Sequence, residues 1–182
     1  MLGASKAGLL GAAGGDSTLD VVWQSGLTNY TRSTTTRPDD TLTLSGASNW
    51  SWIGLVDYGI TSGKWSIDLE VIVSASPSRL IVGVSVSNAS GGTNNYMSNG
   101  ENNSTYRGID VSGTVGSIKT IEFDYSTGVV EVFQDGVSVA NRTATVGGQT
   151  WYFAVQEYED NPAWKLVPQV YAPTAGYTKI NP

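Results

Sequence analysis

The stretch IEFDYSTGVVEVFQDGVSVA, residues 121–140, constrains this chain more than any other. Ile121, Phe123 and Tyr125 alternate with Glu122 and Asp124, and a side-chain period of two belongs to a strand with one face on a core. Ser126-Thr127-Gly128 and Gln134-Asp135-Gly136 interrupt the alternation with residues that turn a chain. Asp-Gly between apolar strands is a hairpin signal, because glycine takes positive φ without strain. The stretch predicts a three-stranded antiparallel meander. Val130, Val132, Val137 and Val139 continue its apolar side, and Glu122 and Asp124 lie on a wet one.

The same period recurs along the chain. WSIDLEV sets Trp65, Ile67, Leu69 and Val71 against Ser66, Asp68 and Glu70. RLIVGVSVS places Leu80, Val82, Val84 and Val86 inward, and TWYFAVQEY does the same with Trp151, Phe153 and Val155. Gly, Ser, Thr and Asn are abundant while charged residues make up only 14% of the chain, which disfavours a helical bundle. No repeat of propeller or solenoid length is visible. Short alternating strands separated by polar clusters predict an all-β fold, a two-sheet antiparallel β-sandwich in which each strand has one wet face. At 182 residues one core is expected, spanning 21–182.

Residues 1–20, MLGASKAGLLGAAGGDSTLD, read differently. Three readings stand: a flexible arm too poor in apolar surface to offset its ordering entropy, a docking segment that orders on assembly, and a cleaved signal peptide. The last lacks a continuous apolar stretch of about 7 to 15 residues.

SGKWSIDLEV, RLIVGVSVS, the meander and WYFAVQEY, in that order, resemble the SPRY domain over Thr41 to Val167. The resemblance implies a concanavalin A-like jelly roll used as an interaction module. GASKAGLLGAAGG is similar to the Gly-Ala-Leu openings of bacteriophage tail and capsid accessory proteins. That likeness implies a virion setting, with the arm docking on other virion proteins and the chain oligomeric within the assembly.

A net charge of −6 with ten Lys and Arg offers no basic stripe for a phosphate backbone, so nucleic acid is not an expected partner. No apolar run approaches the roughly 20 residues needed to cross a bilayer as a helix, and the chain is expected to be soluble. No histidine and no cysteine exclude Ser-His-Asp and Cys-His catalysis and leave the redox compartment open. The surviving enzyme reading is a glycosidase using Glu122, Asp124 or Glu131, with Asp68 and Glu70 as a second carboxylate pair; the competing reading is a strand's solvated face. Metal ligands are reduced to oxygen, hence calcium or magnesium, with Glu157, Glu159, Asp160 and Asn161 as weak candidates in what otherwise reads as a solvated loop. No cofactor is expected.

Recognition fits these residues better than catalysis. Trp50 and Trp52, two apart on a strand, would share a face on which a sugar ring could stack, although tryptophan in a sandwich is also ordinary core. Trp164 is a third aromatic with the same two readings. The polar stretch 88–108 predicts a long functional loop carrying Tyr96, Met97, Tyr106 and Arg107, and tyrosine and arginine recur in binding surfaces. Sequons at Asn88 and Asn102 have meaning only in a secretory host. The expected function is therefore non-enzymatic: a bacteriophage virion protein presenting loops to a host-surface glycan. A purely structural decoration or tail component, a carbohydrate-active enzyme and a peptide-binding SPRY adaptor are the alternatives.

Overall fold

The computed structural model describes residues 21–25, 27–28, 30–32, 41–44, 53–74, 80–88, 97, 104–157 and 162–180. The expected arm at 1–20 lies outside them. Among the described residues twelve strands build the fold: β1 (Tyr30–Arg32), β2 (Thr41–Leu44), β3 (Gly54–Leu55), β4 (Lys64–Val73), β5 (Leu80–Ser85), β6 (Tyr106–Val111), β7 (Ile118–Asp124), β8 (Val129–Gln134), β9 (Val137–Thr143), β10 (Tyr152–Glu157), β11 (Ala163–Leu166) and β12 (Thr178–Lys179). One sheet runs β1-β2-β11-β4-β7-β8-β9, with β12 on β4; the other runs β3-β10-β5-β6. All pairings are antiparallel except the short β12–β4 pair. The fold is the expected all-β sandwich.

The period-two pattern sorts the core correctly. Ile67, Leu69, Val71, Val82, Val84, Ile121, Phe123, Val130, Val132, Trp151, Phe153 and Val155 pack in one cluster between the sheets. Burying each such side chain contributes about 1.5–3 kcal/mol. Val21 and Ile180 join the same cluster, so the described residues from both ends of the sandwich share one core.

The meander forms as β7-β8-β9. Asp135 and Gly136 both have positive φ, 50° and 79°, as a two-residue turn matched to strand twist requires. Asp135 also accepts a hydrogen bond from the Ile118 amide at 2.8 Å, which ties the turn to the start of β7. One expectation fails here. Val137 and Val139 are 70% and 45% exposed rather than part of the apolar face. The register shifts between Val132 and Phe133, whose partners are Ala140 and Ser138, so Val139 is the unpaired bulge residue and β9 is the sheet's edge.

The wet faces also fail. Ser66 and Asp68 are fully buried and Glu122 is 1% exposed, because residues 167–180 cross the outer face of β4 and β7. From the stretch 88–108, Met97 likewise lies over the other sheet. Met97 is buried against Ile53, Leu55, Ile81, Tyr106 and Ala154, with its amide on the Gln156 side chain at 2.7 Å. Gly108 makes room for it, since a Cβ there would lie 2.7 Å from the Met97 Cβ.

Two glycines separate backbone strain from crowding. Gly128 has φ +74° and its added Cβ would meet the Ala144 carbonyl at 2.1 Å, whereas Gly116 has φ +82° with nothing within 4 Å. Gly116→Ala should cost about 1 kcal/mol and Gly128→Ala about 2–4 kcal/mol, because only the second adds a backbone collision. Equal shifts of the two urea midpoints would contradict that assignment.

Candidate functional site

The outer face of the large sheet gathers the acidic residues that the sequence offers for catalysis. Asp68 of β4 stands opposite Thr120 of β7, and Glu122 of β7 stands opposite Glu131 of β8. Each carboxylate has a structural task. Asp68 accepts from the Thr120 hydroxyl through Oδ1 and from the Val170 and Tyr171 amides through Oδ2, at 2.6 and 3.2 Å. Burial pushes its pKa above the ordinary carboxylate value, and these hydrogen bonds together with the charge of Lys179 offset only part of the rise. Glu122 Oε1 accepts from the Thr174 amide at 2.6 Å, and Glu131 Oε1 accepts from the Ser138 hydroxyl at 2.8 Å.

Asp124 closes the β7–β8 turn. Its Oδ1 accepts from the Ser126 amide and hydroxyl at 2.9 and 2.7 Å, and its Oδ2 meets Lys64 Nζ at 3.0 Å. Burial alone would raise its pKa, but hydrogen bonds from Ser126, Lys64 and Thr127 outweigh that and hold it at about 2. Lys64 also lies over the Tyr177 ring, 5.6 Å from its centroid. Burial, then the charges of Glu122, Asp124 and Glu131, push the Tyr177 hydroxyl up to about 12.

A cavity of about 70 Å³ lies here, lined by Thr120, Glu122, Phe133, Gly136, Tyr171, Ala172 and Thr174. That is about half the roughly 150 Å³ that accepts a benzene ring, so a sugar ring does not fit it. With Glu122 buried and one of its oxygens bound to Thr174, a glycosidic bond has no approach to this carboxylate in the observed arrangement.

The recognition candidates separate sharply. Trp164 is fully buried in the inter-sheet core and presents no stacking surface. Tyr106 opens β6 and is buried beneath Met97. Trp50, Trp52 and Tyr96 lie outside the described residues, as do Glu159, Asp160 and Asn161. Glu157 ends β10 fully buried and accepts from the Ser74 hydroxyl at 2.9 Å, so it is not a loop ligand. Among the described residues no three acidic side chains converge as a metal site.

Arg107 is different. It stands beside Tyr106 on β6, opposite Val84 of β5 and hence on the inward face at the sandwich's rim, where β6 approaches β9. Its Nε and Nη1 are buried and have no hydrogen-bond partner among the described residues. Burial and then the like charge of Arg142 lower its pKa. Arg107 thus places two unmatched donors beside a second cation, Arg142. Arg107 was named from sequence; Arg142, eight residues after the β8–β9 turn begins, carried no sequence signal because its partner lies on a distant strand.

The turn carboxylate gives a pH prediction. The folded chain keeps Asp124 ionised down to about pH 2, while its ordinary value is 3.8. Its stabilisation is therefore complete above about pH 4 and is lost progressively as the pH falls towards 2. Melting temperatures should drop more steeply over that window in the wild type than in Asp124→Asn; parallel profiles would remove Asp124 from the acid response.

No protein-family model matches the chain, and no curated protein matches it. Solved structures do. The human HERC1 SPRY domain aligns with a TM-score of 0.55 at 16% identity, covering 82% of this chain and 99% of that one. The TRIM65 PSpry domain aligns at 0.55 and 11% identity, covering 82% and 90%. The Drosophila melanogaster neuralized NHR1 domain aligns at 0.58 and 9% identity, covering 82% and 98%. The chain has the concanavalin A-like jelly-roll fold that SPRY and NHR domains share.

Proposed function

We propose that this chain is a non-enzymatic recognition module: a bacteriophage virion accessory or fibre protein that docks through residues 1–20 and offers its sandwich rim to a host surface. The observation that carries the recognition reading is Arg107, whose Nε and Nη1 donors are buried and unsatisfied. Leaving a buried donor unmade costs about 1–3 kcal/mol, more when it is charged, and a ligand oxyanion would recover that cost. Carboxylate or phosphate groups on a surface polysaccharide have the matching chemistry. The virion setting rests on the Gly-Ala-Leu opening of the sequence. Weak single contacts would suffice there, since display of many copies raises avidity by about 10² to 10⁴.

The carboxylates support the absence of catalysis in this reading. Asp68, Glu122 and Asp124 hold backbone amides and Lys64, tasks that a reacting group would have to abandon.

The test is binding of the full chain, multivalently displayed, to intact bacterial cells and to arrays of acidic and neutral glycans. Arg107→Ala should weaken binding to acidic glycans by about tenfold or more, and Arg107→Lys should restore little, because a point charge does not replace a two-donor fork. Absence of any binding would favour a decoration role confined to neighbouring virion proteins. Reducing-sugar release lost on Glu122→Gln would replace the module by an enzyme.

A further inference from the structure

We propose that the cavity beside Glu122 is a binding site for a primary ammonium group. Glu122 is 1% exposed, its Oε1 is engaged by the Thr174 amide, and its Oε2 is buried with no partner among the described residues. That side chain lines the cavity between β7, the β8–β9 turn and residues 171–174. A buried carboxylate oxygen calls for a donor, and a cationic one also offsets the charge.

The walls select the kind of cation. Phe133 and Tyr171 line the cavity, and aromatic rings attract a cation that sheds water. Tyr171 is fixed there by contact with Gly136, whose added Cβ would lie 2.9 Å from the ring. Only one carboxylate oxygen is free, which suits the point charge of an ammonium better than the two-pronged guanidinium fork. At about 70 Å³ the cavity takes a group of a few heavy atoms. The lack of three converging metal ligands among the described residues argues against a divalent ion.

The surrounding charge points the same way. Glu122 and Glu131 face each other across β7 and β8, and like charges directly opposed are destabilising unless a cation intervenes. Lys64 is committed to Asp124 and the Tyr177 ring. The ammonium could come from a free small amine or from a lysine of a partner protein, and both present the same group.

The site stands apart from the rim reading: a failure at Arg107 leaves it untouched, and its own failure leaves Arg107 untouched. The experiment titrates the ¹⁵N-labelled full chain with n-propylammonium chloride and, separately, with Nα-acetyl-lysine methylamide, against sodium chloride at equal ionic strength. Saturable shifts of the Gly136, Tyr171 and Thr174 amides are expected, with affinity reduced about tenfold or more by Glu122→Gln. Shifts with both probes support the site for either source; shifts with one alone support it and identify that source. No saturable shift with either, or an unchanged affinity in Glu122→Gln, overturns the proposal and leaves a water-filled cavity. If Glu122→Gln does not fold, Phe133→Ala carries the test, and unchanged affinity there overturns it equally.

Discussion

The carboxylate of Asp68 fixes how the chain after β11 lies on the sheet. A buried carboxylate is costly unless donors surround it, and Asp68 takes a hydroxyl from Thr120 and two amides from Val170 and Tyr171. Those two amides set the register of the crossing segment. From that point Tyr171 meets Gly136, Thr174 reaches Glu122, and Ile180 returns to the core with its amide on the Ser66 carbonyl at 2.8 Å. One polar anchor thus places an aromatic wall, a second carboxylate contact and an apolar plug.

The opposite sheet uses the same device with a neutral acceptor. Gln156 accepts the Met97 amide through its side-chain oxygen, and Gly108 donates its amide to the Met97 carbonyl at 2.8 Å. The methionine side chain then fills the space above Ile81 and Ala154. Each sheet thus carries chain against its outer face, residues 167–180 on one and Met97 on the other.

That double covering explains what was legible in the sequence. Alternation marked the inward side chains of β4, β5, β7, β8 and β10 because a core demands apolar groups every second residue. The Asp-Gly turn was legible because its positive φ demands particular residues. Alternation says nothing about what lies over the polar positions, since Asp68 and Glu122 look alike whether they hold water or backbone amides. For the same reason Trp164 kept two readings and Tyr106 read as a loop residue, and the structure places both inside. Stretch 88–108 read as loop because its composition is polar, yet its Met97 is buried. Fold neighbours at 9–16% identity add the shape and not the ligand, which rests on residues particular to this chain.

Among the described residues, Glu122 and Arg107 keep unmatched charged atoms, and they lie near opposite ends of β9. The Glu122 cavity touches Gly136 at the start of β9, and Arg142, the neighbour of Arg107, lies six residues further along it. At a rise of about 3.3 Å per residue that is a separation near 20 Å along the strand. The strand between them is the exposed edge of the large sheet, where backbone groups on one side lack a neighbour. Its bulge at Val139 and its Asn141-Arg142 polar end are features that keep such an edge from pairing with another copy indiscriminately. A ligand engaging both ends would have to carry a cation and an oxyanion about 20 Å apart, a spacing that an extended segment of about six residues spans and a single sugar ring does not.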